Sequence, residues 1–181
     1  MIKIIGGKYR SRLIEVPPEV TVPTKSRVRE AIFSALSGHI EGERVLDLFA
    51  GSGAYAFEAL SRGAGEADLV DCSPSAIAVI KRNKAALKEE KANIVFDDAF
   101  RFIEENHDPY GLIFLDPPYK DLRAYGEIPA SIMAKGLLKE EGCLIVESEN
   151  PDLLPHLEGC REKTYNYGRT FVRLLWRNPC A

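Results

Sequence analysis

The chain has no apolar run near the ~20 residues that a membrane-spanning helix needs. No signal peptide precedes charged Lys3, so neither a membrane protein nor a leader is expected. The cysteines, Cys72, Cys143, Cys160 and Cys180, show no CxxC pair and no metal-ligand spacing. They read as free thiols of a cytoplasmic protein, and no metal site is expected. His39, His107 and His156 are scattered singly, which argues against histidine catalysis. There is no internal repeat and no low-complexity stretch, which excludes solenoids and disordered tails.

What remains is an ordinary globular composition. The 181 residues suit about one domain, 45% apolar and 28% charged. The net charge of −3 conceals an asymmetry. Residues 1–30 hold seven lysines and arginines against three glutamates, a net of +4, so the rest carries −7. A basic segment on an acidic body has the form of a polyanion footprint. Lys8, Arg10, Arg12, Lys25, Arg27 and Arg29 are its candidate polyanion contacts.

The element pattern begins with Lys3–Ile5 and Arg10–Val16 around Gly6-Gly7-Lys8-Tyr9, which predicts a hairpin. Pro17, Pro18 and Pro23 mark an extended linker. Thr24 or Ser26 caps a helix through Leu36, with Val28, Ile32 and Leu36 on one face and Arg27 on the other, Arg29 at its flank. Strands at 44–49, 67–71, 93–97, 112–116 and 143–147 then alternate with helices at 53–62, 74–89, 99–106 and 128–135. Alternating βα units predict a parallel sheet wrapped on both faces. Residues 162–167 and 170–176 flank Gly168-Arg169 and predict an antiparallel hairpin at the sheet edge.

Two turns carry the chemistry. The strand Tyr110–Leu115 delivers Asp116-Pro117-Pro118-Tyr119. Proline fixes its own φ and extends the residue before it, so the Asp116 carboxylate and Pro117 carbonyl can be held rigidly. Residues 117 and 118 lack a backbone N–H, so the turn offers mainly acceptors. A flat base with an exocyclic amine fits, its ring stacking on Tyr119. The second turn, Asp47-Leu48-Phe49-Ala50-Gly51-Ser52-Gly53, ends a strand and opens a helix. In an open α/β sheet a nucleotide-like cofactor binds there. No lysine follows Gly53, so it is not a P-loop. Asp47 ahead of the glycines would repel a dinucleotide pyrophosphate, whereas S-adenosylmethionine carries a sulfonium and an ammonium. Asp71, about 20 residues on, can accept both ribose hydroxyls. Asp98-Ala99 can reach the adenine amine. Helix-capping remains the alternative for both Asp71 and Asp98.

Beyond these readings the chain resembles the RsmD-type bacterial 16S ribosomal RNA guanine-N2 methyltransferases. The resemblance rests on Gly6–Arg10, Pro23-Thr24, Arg27–Phe33, Asp47–Gly53, Glu58–Ala64 and Asp116–Tyr119, and spans nearly the whole chain. Val22, Ser26, Tyr119 and Ser11 stand where that family usually has Arg, Asp, Phe and Gly. The resemblance implies one Rossmann-like class I methyltransferase domain over 1–181, with a 1–38 RNA-contacting extension and a 39–181 core. Its α/β sheet would have seven mostly parallel strands with an antiparallel last strand. Asp47, Gly51, Gly53, Asp71 and Asp98 would bind S-adenosyl-L-methionine, with Phe49, Ser52, Ser73 and Ala99 beside them. Asp116, Pro117, Pro118 and Tyr119 would hold the target base. The expected partner is 16S rRNA in an assembled or partly assembled small subunit, and the expected state a monomer. Asp-Pro-Pro-Tyr alone serves an adenine N6 amine equally well, and a non-catalytic RNA-binding module on this fold is the third reading.

Overall fold

A computed structural model describes residues 1–18 and 25–179, and of Lys25 the backbone alone. Val22, Pro23, Thr24 and Cys180 lie outside the described residues. The strands are β1 (Ile2–Lys3), β2 (Leu13–Ile14), β3 (Arg44–Leu48), β4 (Glu66–Asp71), β5 (Ala92–Phe96), β6 (Tyr110–Leu115), β7 (Leu138–Ser148), β8 (Cys160–Tyr167) and β9 (Thr170–Arg177). The helices are α1 (Lys25–Ala35), α2 (Ala54–Ser61), α3 (Pro74–Leu87), α4 (Ala99–Glu105) and α5 (Leu122–Ala134).

β3 to β9 form one seven-stranded sheet in the order β5-β4-β3-β6-β7-β9-β8. The first five are parallel, and β9 is antiparallel to both its neighbours, as expected. β9 folds back inside β8, which leaves β8 as the edge. Strand alternation divides the core. Val45, Leu112, Phe114, Ile145 and Val172 pack under α1, α2 and α3. Leu46, Leu48, Ile113, Leu115 and Val146 pack under α4 and α5. Strand β6, apolar at nearly every position, is buried throughout, as a central parallel strand must be.

Three boundaries depart from the sequence reading. Helix α5 begins at Leu122 rather than at residue 128, although it contains Gly126 and Pro129. Asp121 caps it at Ala124, and Tyr125, Ile128 and Ile132 bury one stripe, so packing outweighs two poor helix formers. Strand β7 begins at Leu138 rather than at residue 143, so that Lys139-Glu140-Glu141-Gly142 belong to it. Its pairing with β6 is irregular there, and Glu141 sits at φ 59. The N-terminal hairpin pairs only Ile2 with Ile14 and Lys3 with Leu13, joined through a 3-10 turn at Gly7–Tyr9.

Among the described residues, no helix is long and apolar enough to cross a membrane, and no His, Cys, Asp and Glu cluster could hold a metal ion.

Candidate functional site

The register of the parallel strands builds the site. Leu48 pairs with Val70 and Leu115, and Leu115 with Val146. One residue beyond that level, Phe49, Asp71, Asp116 and Glu147 stand in a row along the carboxyl edge. This is where open α/β sheets take ligands.

Past β3 the chain turns through three left-handed residues, Phe49 at φ 59, Gly51 at φ 56 and Gly53 at φ 75. For Phe49 that conformation costs roughly 1–2 kcal/mol. The surroundings hold it in place. Asp47, only 2% exposed, accepts the Ala56 N–H at 3.1 Å and so caps the first turn of α2. Asp71 accepts the Gly51 N–H at 2.8 Å with one oxygen and the Ser73 N–H at 2.8 Å with the other. The Ser52 carbonyl accepts from the Asn83 amide at 3.0 Å. Gly51 is needed for its positive φ, and it leaves a cradle: a Cβ there would meet nothing nearer than the Phe49 carbonyl at 3.9 Å.

Asp71 and Asp98 converge on Cys72. Burial, then those two carboxylates, pushes its thiol above the ordinary range. Asp98 caps α4 with one oxygen, Oδ1, which accepts the Phe100 and Arg101 N–H groups at 3.0 and 3.2 Å, beside Ala99. The cap of α3 is Ser73, whose hydroxyl accepts the Ala76 N–H, so Asp71 is left to hold the Gly51 turn.

In the second turn Asp116 is half-buried, Pro117 buried, Pro118 exposed and Tyr119 37% exposed. The Pro117 carbonyl accepts from the Tyr125 hydroxyl at 3.4 Å, and the Pro118 carbonyl from the Asp121 N–H at 2.8 Å. The acceptor turn is thus fixed from beneath by α5. Sequence reading overlooked two residues behind it. Tyr55 of α2 is buried, stacks on Phe114 at 4.9 Å and 10°, and donates to the Glu147 carboxylate. Burial, with the carboxylates of Glu147 and Asp116, pushes the Tyr55 phenol well above its ordinary range, so it stays a donor. Glu147 carried the same signal as Asp116, a carboxylate ending an apolar strand.

The basic N-terminal set divides. Arg10 and Arg27 are exposed. Lys8 pairs with Glu89 at 2.8 Å, and Arg12, though exposed, donates to the Ala86 carbonyl. Arg29 is a correction. It is 3% exposed, donates to the Lys3 carbonyl at 2.6 Å and lies 3.8 Å from Glu58, so it cannot reach RNA. Three positions past Ser26 and one turn before Phe33, it points into the packed side of α1 and ties that helix to β1. The side chain of Lys25 lies outside the described residues.

Comparisons with known proteins agree with this geometry. A family profile described as conserved hypothetical protein 95 matches residues 2–176. The ribosomal RNA small subunit methyltransferase D of Escherichia coli strain K12 is 37% identical over 156 residues, 85% of this chain and 78% of that one. The protein of the same name from Haemophilus influenzae is 32% identical over 153 residues, 82% and 79% of the two chains. The solved structure of the Escherichia coli protein yhhF superposes with a TM-score of 0.87 at 33% identity, covering 99% of each chain. A more distant methyltransferase structure complexed with SAH, 16% identical with a TM-score of 0.69 over 86% of this chain and 50% of that one, shares the fold. The profile match across nearly the whole chain, with this identity to its curated relatives, places the protein in the RsmD family of ribosomal RNA small-subunit methyltransferases.

Proposed function

We propose that the protein transfers a methyl group from S-adenosyl-L-methionine to the exocyclic N2 amine of a guanine in 16S ribosomal RNA. It would act as a single-domain cytoplasmic monomer on assembled or partly assembled small subunits. The observation that carries this reading is the neighbourhood of two turns. The acceptor turn at Asp116 stands one strand from the Asp47–Gly53 turn and at the same level of the sheet.

The residues around Gly51 fit the cofactor. The cradle is open, and Asp47 and Asp71 give it a negative lining suited to a cation. Asp71 would hold the ribose, Asp98 and Ala99 the adenine, and Phe49, Ser52, Gly53 and Ser73 would shape the walls. When bound, the cofactor supplies an electrophilic methyl on a sulfonium. Asp116 and the Pro117 carbonyl accept the two N–H bonds of the target amine. This draws its lone pair out of conjugation and turns it toward the methyl. The Asp116 carboxylate stabilises the positive charge that grows on nitrogen, alignment contributes much of the remainder, and the acidic methylated ammonium then loses its extra proton to solvent without a strong base. Tyr125 and α5 keep the carbonyl in place. Tyr119 stacks on the extruded base, returning roughly 1–3 kcal/mol of the few that extrusion costs.

The test is digestion to nucleosides after incubation of unmethylated small subunits with the protein and labelled cofactor. Label in N2-methylguanosine is expected. Label in N6-methyladenosine would replace guanine by adenine, and no label at all would return the fold to RNA binding. Asp116→Ala should bind cofactor nearly normally yet lose about 10²-fold or more in transfer, the size for one preorganised electrostatic partner. Tyr119→Phe should stay active and Tyr119→Ala should not, because stacking needs only the ring.

A further inference from the structure

The edge strand β8 presents basic and aromatic side chains together. Arg161, Lys163, Tyr165 and Tyr167 alternate along it, so they share one face. Their β9 partners, Trp176, Leu174, Val172 and Thr170, place that face on the α1 and α2 side of the sheet. The opposite face carries Glu162, which is engaged with His156 and Arg173. Lys163 Nζ lies 5.0 Å from the Tyr165 ring centroid, and the Tyr165 and Tyr167 rings stack at 6.2 Å and 15°. Arg161, Lys163 and Arg169 are exposed, and among the described residues none has an acidic partner within ion-pair distance. A charged edge guards against strand pairing. That role explains the cations but not a stacked pair of half-exposed rings.

The register ties this strip to the catalytic turn. Asp116 follows Leu115, which pairs with Val146. Glu147 then pairs with Val172, and Val172 with Tyr165. Tyr165 therefore stands at the level of Asp116, on the same side of the sheet. Three strand steps separate them, roughly 14 Å. Tyr167 and Arg169 extend the strip just past that level.

We propose that β8 and its hairpin turn form a second RNA surface. Single-stranded ribosomal RNA flanking the target nucleotide stacks a base on the Tyr165–Tyr167 pair and sets its phosphates on Arg161, Lys163 and Arg169. The inference rests on the methyltransferase reading above. Charge complementarity to a polyanion and stacking rings at the level of the acceptor turn argue for this occupant, since sequence-tolerant single-strand binding uses that pairing.

The experiment compares a charge variant and a ring-deletion variant, with a Phe rescue of the latter, against the wild type, using unmethylated small subunits and deproteinised 16S RNA as probes. In Arg161→Gln/Lys163→Gln/Arg169→Gln, affinity for both probes should fall at least tenfold, and the salt slope should shrink by two to three, about one per phosphate contact. In Tyr165→Ala/Tyr167→Ala, affinity should fall roughly 5- to 100-fold with the slope unchanged, while Tyr165→Phe/Tyr167→Phe restores it. Cofactor affinity should match wild type in all three, which also reports an intact fold. RNA affinity and slope unchanged in both variants, with wild-type methylation intact, would overturn the strip alone. Loss on intact subunits but not on deproteinised RNA would assign the surface to a ribosomal protein instead. Failure of the wild type to methylate or bind either probe would overturn the functional reading and the strip together.

Discussion

At the scale of the residue, one carboxylate decides whether the Asp47–Gly53 turn keeps its shape. Asp71 ends β4 and reaches across to β3's loop, where its two oxygens take the Gly51 and Ser73 N–H groups. The loop N–H is held by a charge-assisted bond, which is worth more than a neutral one. Asp71→Ala removes both loop bonds and the proposed ribose contact. Affinity for the demethylated cofactor should weaken by about 1.5–3 kcal/mol, or roughly tenfold to a hundredfold. Asp71→Asn keeps one acceptor and should lose less. Calorimetric titration reads the affinity, and a thermal melt separates a local from a global effect. Equal affinity in the alanine variant, at unchanged melting, would remove Asp71 from the site.

At the scale of the element, the N-terminal hairpin is bolted to α2 and α3, beside the Asp47–Gly53 turn. Glu58, fully buried on α2, accepts the Ile5 and Gly6 N–H groups at 2.8 Å each and the Arg62 Nε–H at 2.8 Å. Gly7, at φ 72, lets the backbone pass so near the Ser61 carbonyl that no Cβ would fit. Asn83 of α3 closes the other side. Its oxygen accepts the Glu15 N–H at 2.7 Å, and its amide donates to the Glu15 and Ser52 carbonyls. One buried amide thus joins the extension to the glycine turn. Asn83→Ala leaves three polar groups without it, so it should destabilise the fold by about 1–3 kcal/mol. Hydrogen exchange should speed up around residues 13–16 and 51–53 together. Faster exchange in only one of the two would mean that Asn83 does not couple them. Gly6–Arg10 and Glu58–Ala64, two of the stretches that carry the family resemblance, are the two sides of the Glu58 joint, a contact that motif reading does not show. The alternation of strands and helices and the parallel sheet were legible because apolar strands ending in Asp47, Asp71 and Asp116 repeat a local pattern. The start of α5 and the length of β7 were not, because Pro129 and Gly142 lie in positions that only tertiary packing makes tolerable. Tyr55 escaped for the same reason: its partner, Glu147, lies 92 residues away in sequence.

At the scale of the whole molecule, charge and burial divide the basic N-terminus into two functions. The +4 of residues 1–30 against −7 elsewhere suggested one uniform RNA-facing surface. Arg10, Arg12 and Arg27 are exposed, and each can add a phosphate contact. Removing all three charges should lower RNA affinity and flatten the salt dependence by up to about three, one unit per lost contact. Arg29 belongs to the other function. Burial lowers its guanidinium below the ordinary range, with Glu58 opposing that shift, so its charge is held inside the protein. Arg29→Ala breaks a buried pair and should cost about 3 kcal/mol of folding stability. Among molecules that stay folded, the salt slope should match wild type. Denaturant unfolding and binding at several salt concentrations, run on both variants, separate the two functions. A reduced slope in Arg29→Ala would place its charge on the RNA after all, and an unreduced slope in the triple variant would make the basic extension a solvated face.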